Sequence, residues 1–211
     1  AVNGGYNVIL THHPMVFRGI KAVDGHDTVS RKVIRLVQAG ISVMSFHTRL
    51  DTVDGGVNDT LAARLGLSDV IPFGDKDNAE GKPMGRVGSL PSPMTLDKFA
   101  CLVKEKLQAD GIFAGDAHRP VSRVAVLGGG GDGDVAAARA VGADTYVTGE
   151  LKYHQLCDAP YEGLNLLQAG HFETEFPVCD VLKATVLDLY AQADLPAPAV
   201  TVMNSHRIRL I

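Results

Sequence analysis

Thiol chemistry has little to work with in this chain. Only three cysteines occur in 211 residues; Cys101, Cys157 and Cys179 are widely spaced and form no C-x-x-C pair. A disulfide framework and a thiolate zinc site are therefore not indicated, and the three are expected to be small core residues. No apolar run is long enough to span a bilayer. Lysine and arginine form no clusters and the formal net charge is -4, which argues against a dedicated nucleic-acid surface. Nothing at the N-terminus has the pattern of a secretory signal, so the expected compartment is the cytoplasm. Internal repeats and low-complexity segments are absent from the sequence. What is present is a 45% hydrophobic chain, long enough for one sizeable α/β domain or two small lobes.

Short apolar runs at 6–10, 41–46, 86–90, 122–127, 145–148, 164–168 and 200–203 predict strands that alternate with helical patterns. Ser30 is placed to cap a helix on which Val33, Ile34 and Val37 share a face, and Gly40 ends it. A helix is expected at 57–65 before Gly66. Another runs from a Thr95 cap through Leu107, with Leu96, Phe99, Ala100, Val103 and Leu107 as its buried stripe. Further helices are expected after the glycine run 128–133, near 153–157, and from about 175 to 191. Alternation with short connections predicts α/β layers. The Pro-, Gly- and Asp-rich stretch 71–82 reads as a surface loop and as the boundary between two lobes. Few residues precede the strand at 6–10, although a buried parallel strand needs cover on both sides, so a further segment is expected ahead of residue 1.

Three separated fragments carry the chemistry. They are Thr11-His12-His13-Pro14, His47-Thr48-Arg49-Leu50-Asp51 and Gly170-His171-Phe172-Glu173-Thr174-Glu175. Each follows a predicted strand, where an α/β sheet presents the C-terminal ends of its strands. Imidazoles and carboxylates gathered there suit a divalent transition metal, and the set exceeds what one four-coordinate zinc needs, so a dinuclear site is expected. Neighbouring histidines on an extended strand point to opposite faces, so both can ligate only if the backbone turns beside them, as Pro14 allows. Asp51 is read as a loop carboxylate able to bridge two cations, with Asp54, Gly55 and Asn58 better suited to start the next helix. His47 either ligates or donates to a substrate oxygen. His171 and Glu175, four apart, face the same way on a first helical turn. His26, His118 and His206 stand in polar surroundings and read as surface residues.

A competing signal is the run Gly128 to Gly133, which satisfies G-x-G-x-x-G between a strand and a helix, with Glu150 at about the spacing of a ribose-binding acid. Asp132 and Asp134 put negative charge where a pyrophosphate would lie, and no Gly-Lys-Ser/Thr tail follows. A tight turn with close backbone packing is the preferred reading, and a dinucleotide-binding enzyme the alternative. Glu150, Lys152 and His154, just past the strand at 145–148, either act as acid and base groups or orient the ligands.

Taken together, Ile9 to Pro14, His47 to Asp51 with Gly55-Gly56-Val57-Asn58-Asp59 behind it, Gly128 to Gly131, Thr148 to His154 and Gly170 to Glu175 resemble the NIF-three-like family. Its members are also named as homologues of GTP cyclohydrolase I type 2. The resemblance covers nearly the whole chain, in order, and corresponds to the compact form without an insert between lobes. It implies two related α/β lobes, one over 1–75 with 165–211 packing onto it and one over 83–164, with a dinuclear metal centre in the cleft between them. The ligands it implies are His12, His13, Asp51, His171 and Glu175, with His47 and His154 as pocket groups that move protons. Two divalent ions per chain are implied, of zinc, iron, manganese, cobalt or nickel. Metal-assisted hydrolysis of a small molecule, possibly a nucleotide, is the implied activity, with metal delivery or regulation through partners as the alternative. The implied assembly is a homohexameric ring.

Overall fold

The computed structural model describes residues 1–75 and 80–204. The chain divides into two compact units, Ala1–Leu50 and Asp51–Ile211.

In the first unit, β1 (Val8–Thr11) pairs in parallel with β2 (Ser42–Ser45) through the helix α1 (Thr28–Gln38), in the register Val8 to Ser42 and Thr11 to Ser45. The cap of α1 is Asp27, not Ser30. Asp27 is extended, and its carboxylate accepts from the amides of Val29 and Ser30; those bonds, Ser30 first, lower its pKa. Ser30 lies inside the helix, buried, and its hydroxyl accepts from the Gly25 amide at 2.8 Å. Sequence offered two capping residues three apart; the backbone of 25–27 selects between them. Val37 is 74% exposed, since a two-stranded sheet leaves the last turn of α1 without cover in this unit.

The second unit is a six-stranded mixed sheet with helices on both faces. Its elements follow α2 (His47–Thr52), within which the division falls: α3 (Val57–Arg64), β3 (Ser68–Phe73), β4 (Gly85–Met94), α4 (Leu96–Leu107), β5 (Phe113–Gly115), β6 (Val121–Gly130), α5 (Val135–Ala140), β7 (Thr145–Glu150), α6 (Tyr153–Glu162), β8 (Asn165–Gln168), α7 (His171–Glu175) and α8 (Val178–Gln192). The strand order is β3-β4-β6-β7-β8-β5. The central β6, β7 and β8 run parallel, flanked by antiparallel neighbours.

Alternation along the central strands builds two cores. Val124, Val126, Val147 and Leu167 face one cluster with Leu61, Leu65, Phe99, Val103 and Leu107, while Ala125, Leu127, Tyr146 and Leu166 face another with Phe73, Ala138 and Ala159. Strands covered on both faces read as continuous apolar runs, which is how they stood out in the sequence. The α4 helix begins and ends where its pattern predicts: Thr95 Oγ1 accepts from the Lys98 amide, and Leu96, Phe99, Val103 and Leu107 are buried.

Several expectations are corrected. The stretch 71–82 contains the end of β3 and connects it to β4 as an antiparallel pair, with Ile71 opposite Val87 and Phe73 opposite Gly85. It joins strands of one sheet, and the division of the chain falls at residue 50 instead. The 165–211 segment places β8 between β7 and β5 in that same sheet. Residues 200–203 form no strand. The helix expected from about 175 to 191 is α8, which starts at Val178, with Phe176 and Pro177 separating it from the short α7. Cys101 and Cys157 are exposed on α4 and α6, and Cys179 is half-buried; burial raises the Cys179 pKa. They occupy outer helix positions that strand and stripe residues leave free. His206 lies outside the described residues. No helix among the described residues is long and apolar enough to cross a membrane.

Candidate metal centre

In the first unit β1 stops at Thr11, and the chain bends at His12 and His13 themselves. A continued strand would send these rings to opposite faces; the bend leaves their centroids 4.9 Å apart. His47 joins from the end of β2, with its centroid 5.4 Å from each. Its amide donates to the His12 carbonyl at 2.9 Å, carrying the inter-strand pairing just past both strand ends. His47 has φ 33°, an unfavourable value for a residue with a β-carbon and the kind of backbone strain found at functional sites. One ligand nitrogen from each of the three histidines lies within 4.8 Å of the others. Phe17, 72% exposed, meets the His47 ring edge-on at 5.8 Å.

Asp51 lies on α2, half-buried, rather than in a loop. It does not cap α3. Gly56 holds that position without a side-chain bond, and the Asp59 carboxylate accepts from the Gly55 amide at 2.7 Å. Asn58, fully buried, donates from Nδ2 to the Asp51 carbonyl at 3.1 Å and accepts at Oδ1 from the Gly128 amide at 2.8 Å. One side chain thus ties the Asp51 segment to the glycine run. The adjacent Asp59 pairs with the buried Arg86, which also donates to the Thr52 carbonyl.

His171 and Glu175 stand one turn apart on α7, with His171 Nε2 3.2 Å from Glu175 Oε1. On the far side of the ring, His171 Nδ1 is 3.0 Å from Glu150 Oε1 at the end of β7. The hydrogen bond and charge of Glu175, then the hydrogen bond and charge of Glu150, outweigh desolvation and lift the His171 pKa from 6.5 to about 9. The protonated ring therefore stabilises the fold below its ordinary pKa, a contribution lost as pH rises through about 9; a cation at Nε2 must displace that proton.

The glycine run seats this pair. Gly129 has φ 73°, and a β-carbon there would overlap Glu175 Oε1 and press on His171 Nε2. Its amide donates to Thr174 Oγ1 at 3.0 Å. A β-carbon at Gly131 would overlap the Thr148 and Tyr146 hydroxyls, and one at Gly128 would come 2.9 Å from Val57 Cγ1. The small residues serve close packing around His171 and Glu175, in keeping with the turn reading, and Glu150 is engaged by an imidazole. Gly129, Thr174 and the Asn58 side chain carry no local sequence signal of these parts; only the glycine run itself hints at a crowded backbone. His154 is exposed on α6 and, like Asp51, belongs to neither the three-histidine cluster nor the His171–Glu175 pair. His26 and His118 are exposed as expected. The donors present, imidazole nitrogens and carboxylate oxygens over a glycine that leaves room for them, fit a divalent transition metal.

A model of the family described as Duf34/NIF3 (NGG1p interacting factor 3) matches residues 1–205. The chain belongs to the Duf34/NIF3 family. Among its Duf34/NIF3 relatives, a Streptomyces coelicolor protein named GTP cyclohydrolase 1 type 2 homolog is 39% identical over 194 residues, covering 89% of this chain and 68% of that one. A Clostridium perfringens protein of the same name is 36% identical over 176 residues, covering 82% and 67%. The crystal structure of the Staphylococcus aureus hypothetical protein SA1388 superposes with a TM-score of 0.87 at 25% identity, over 100% of this chain and 82% of that one. Reduced HcgD from Methanocaldococcus jannaschii gives 0.72 at 26% identity, over 92% and 74%.

Proposed function

We propose that this Duf34/NIF3 chain is a metal-dependent hydrolase whose dinuclear centre takes His12, His13, Asp51, His171 and Glu175 as ligands. The observation that carries this reading is that each unit independently gathers metal-type donors: three imidazoles in the first, and an imidazole beside a carboxylate in the second. Three strand ends have been brought to that chemistry, which a fold has no structural need to do. The names of the relatives from Clostridium perfringens and Streptomyces coelicolor point the same way, toward a purine nucleotide as substrate.

Two divalent ions held there would supply Lewis acidity and an activated water. The chain's own residues would do the rest. His47, whose ring lies against both His12 and His13, would hold or pass a proton at an imidazole nitrogen. Phe17 beside it offers a face for a planar substrate. The test is a metabolite screen on protein reconstituted with zinc, manganese, iron, cobalt or nickel, read as substrate loss. A purine nucleotide consumed by the wild type and spared by His47→Ala is the expected result. Stoichiometric metal binding without turnover of any metabolite would favour metal delivery instead.

The assembly is proposed to be a closed homohexamer. Light scattering at micromolar concentration is expected to give about six times the chain mass; a stable monomer would count against the ring.

A further inference from the structure

We propose that Glu150 is a positioning residue: its carboxylate fixes the tautomer and orientation of the His171 ring so that Nε2 is the atom offered to a metal. This rests on the metal-centre reading above and extends it to a residue outside the ligand set. The two ring nitrogens of His171 face two carboxylates in different settings. Glu175 Oε1, 3.2 Å from Nε2, sits on a side chain 13% exposed; Glu150 Oε1, 3.0 Å from Nδ1, sits on one 62% exposed.

A neutral imidazole has one N–H and one lone pair. An ionised carboxylate only accepts, so it can share a neutral ring with a second carboxylate only if one contact is an N–H bond and the other holds a cation between two acceptors. The glycine-seated side at Glu175 is where two of the proposed ligand atoms meet: His171 Nε2 is 3.2 Å from Glu175 Oε1, and a β-carbon on Gly129 would overlap that oxygen. Glu150 meets the other ring nitrogen from the more exposed side. The N–H therefore belongs at Nδ1, toward Glu150, and the lone pair at Nε2, toward Glu175. Glu150 reaches this position because β7 runs parallel to β8 and ends beside the turn into α7. Metal-bound histidines commonly pass their second N–H to a carboxylate in this way, which raises the basicity of the ligating nitrogen.

The experiment compares wild type, Glu150→Gln and Glu150→Ala by two readouts. Nitrogen-15 NMR of His171 is recorded on zinc-loaded protein, and zinc affinity is measured by chelator competition. Glutamine keeps an oxygen that accepts from Nδ1–H. Wild type and Glu150→Gln are expected to hold the Nδ1–H tautomer and to bind zinc within about threefold of each other, whereas Glu150→Ala mixes tautomers and binds about 10- to 100-fold more weakly. Zinc loss in Glu150→Gln as severe as in Glu150→Ala would make Glu150 a ligand and overturn the proposal. So would an Nε2–H tautomer in the wild type. A wild type that binds no zinc would sink the metal centre itself, a failure distinct from an Nε2–H ring on bound zinc.

Discussion

Protein loaded with zinc or manganese at neutral pH and passed through a desalting column is expected to retain about two ions per chain, and the His12→Ala/His171→Ala double variant almost none. The double change removes one imidazole from each unit's donor cluster, so no single cluster is left intact. Single losses should rank by chemistry. A bridging carboxylate lowers the mutual repulsion of two cations, so Asp51→Ala or Glu175→Ala should disturb both, while loss of one terminal imidazole should chiefly weaken one. His26→Ala and His118→Ala, at exposed positions, should leave occupancy unchanged. Uptake should release protons, because the His171 ring, lifted to about 9 by Glu175 and Glu150, must give up its proton to ligate. Elemental analysis decides the matter: a full complement in the double variant would rule out this donor set.

Gly129→Val is expected to cost both stability and metal affinity. The backbone there is at φ 73°, and the new β-carbon would enter the space of Glu175 Oε1 and His171 Nε2. The left-handed conformation alone costs a residue with a β-carbon about 1–2 kcal/mol, more when it is β-branched. Displacing Glu175 should add a loss of zinc affinity of more than about 10-fold, by analogy with the removal of ligand-supporting contacts. Gly133→Ala is the matched control. Its added carbon meets nothing within 4 Å and its φ is not in the left-handed region, so its stability should stay within about 0.5 kcal/mol of wild type. Urea denaturation and zinc titration of both variants test the cradle, and wild-type affinity in Gly129→Val would show that it is not needed.

Elements determined by near neighbours were legible in the sequence. The α4 helix could be placed to the residue because its cap, its stripe and its end all lie within a dozen consecutive positions. The central strands were legible because burial on both faces makes them uniformly apolar. His12, His13, His47, His171 and Glu175 could be singled out because each lies at the end of a predicted strand or on the turn after it, and because the fragments that carry them resemble a known family. Where two local signals competed, sequence chose wrongly: Asp27 and Ser30 are both good caps, and the turn at Gly25, where Ser30 is already engaged, decided for Asp27.

From the sequence alone came the α/β class, the order of most elements, the metal-type chemistry of the donors and, through its resemblance, the family. Tertiary structure decided what depends on partners distant along the chain. It paired β3 with β4, turning an apparent linker into the edge of a sheet. It left Cys101 and Cys157 in solvent, set Asn58 between Asp51 and Gly128, and put Glu150 against His171. Such contacts span tens of residues, and no local pattern encodes them, because an edge strand, a buried amide and a carboxylate at a strand end look alike until the sheet has brought their partners within hydrogen-bonding distance.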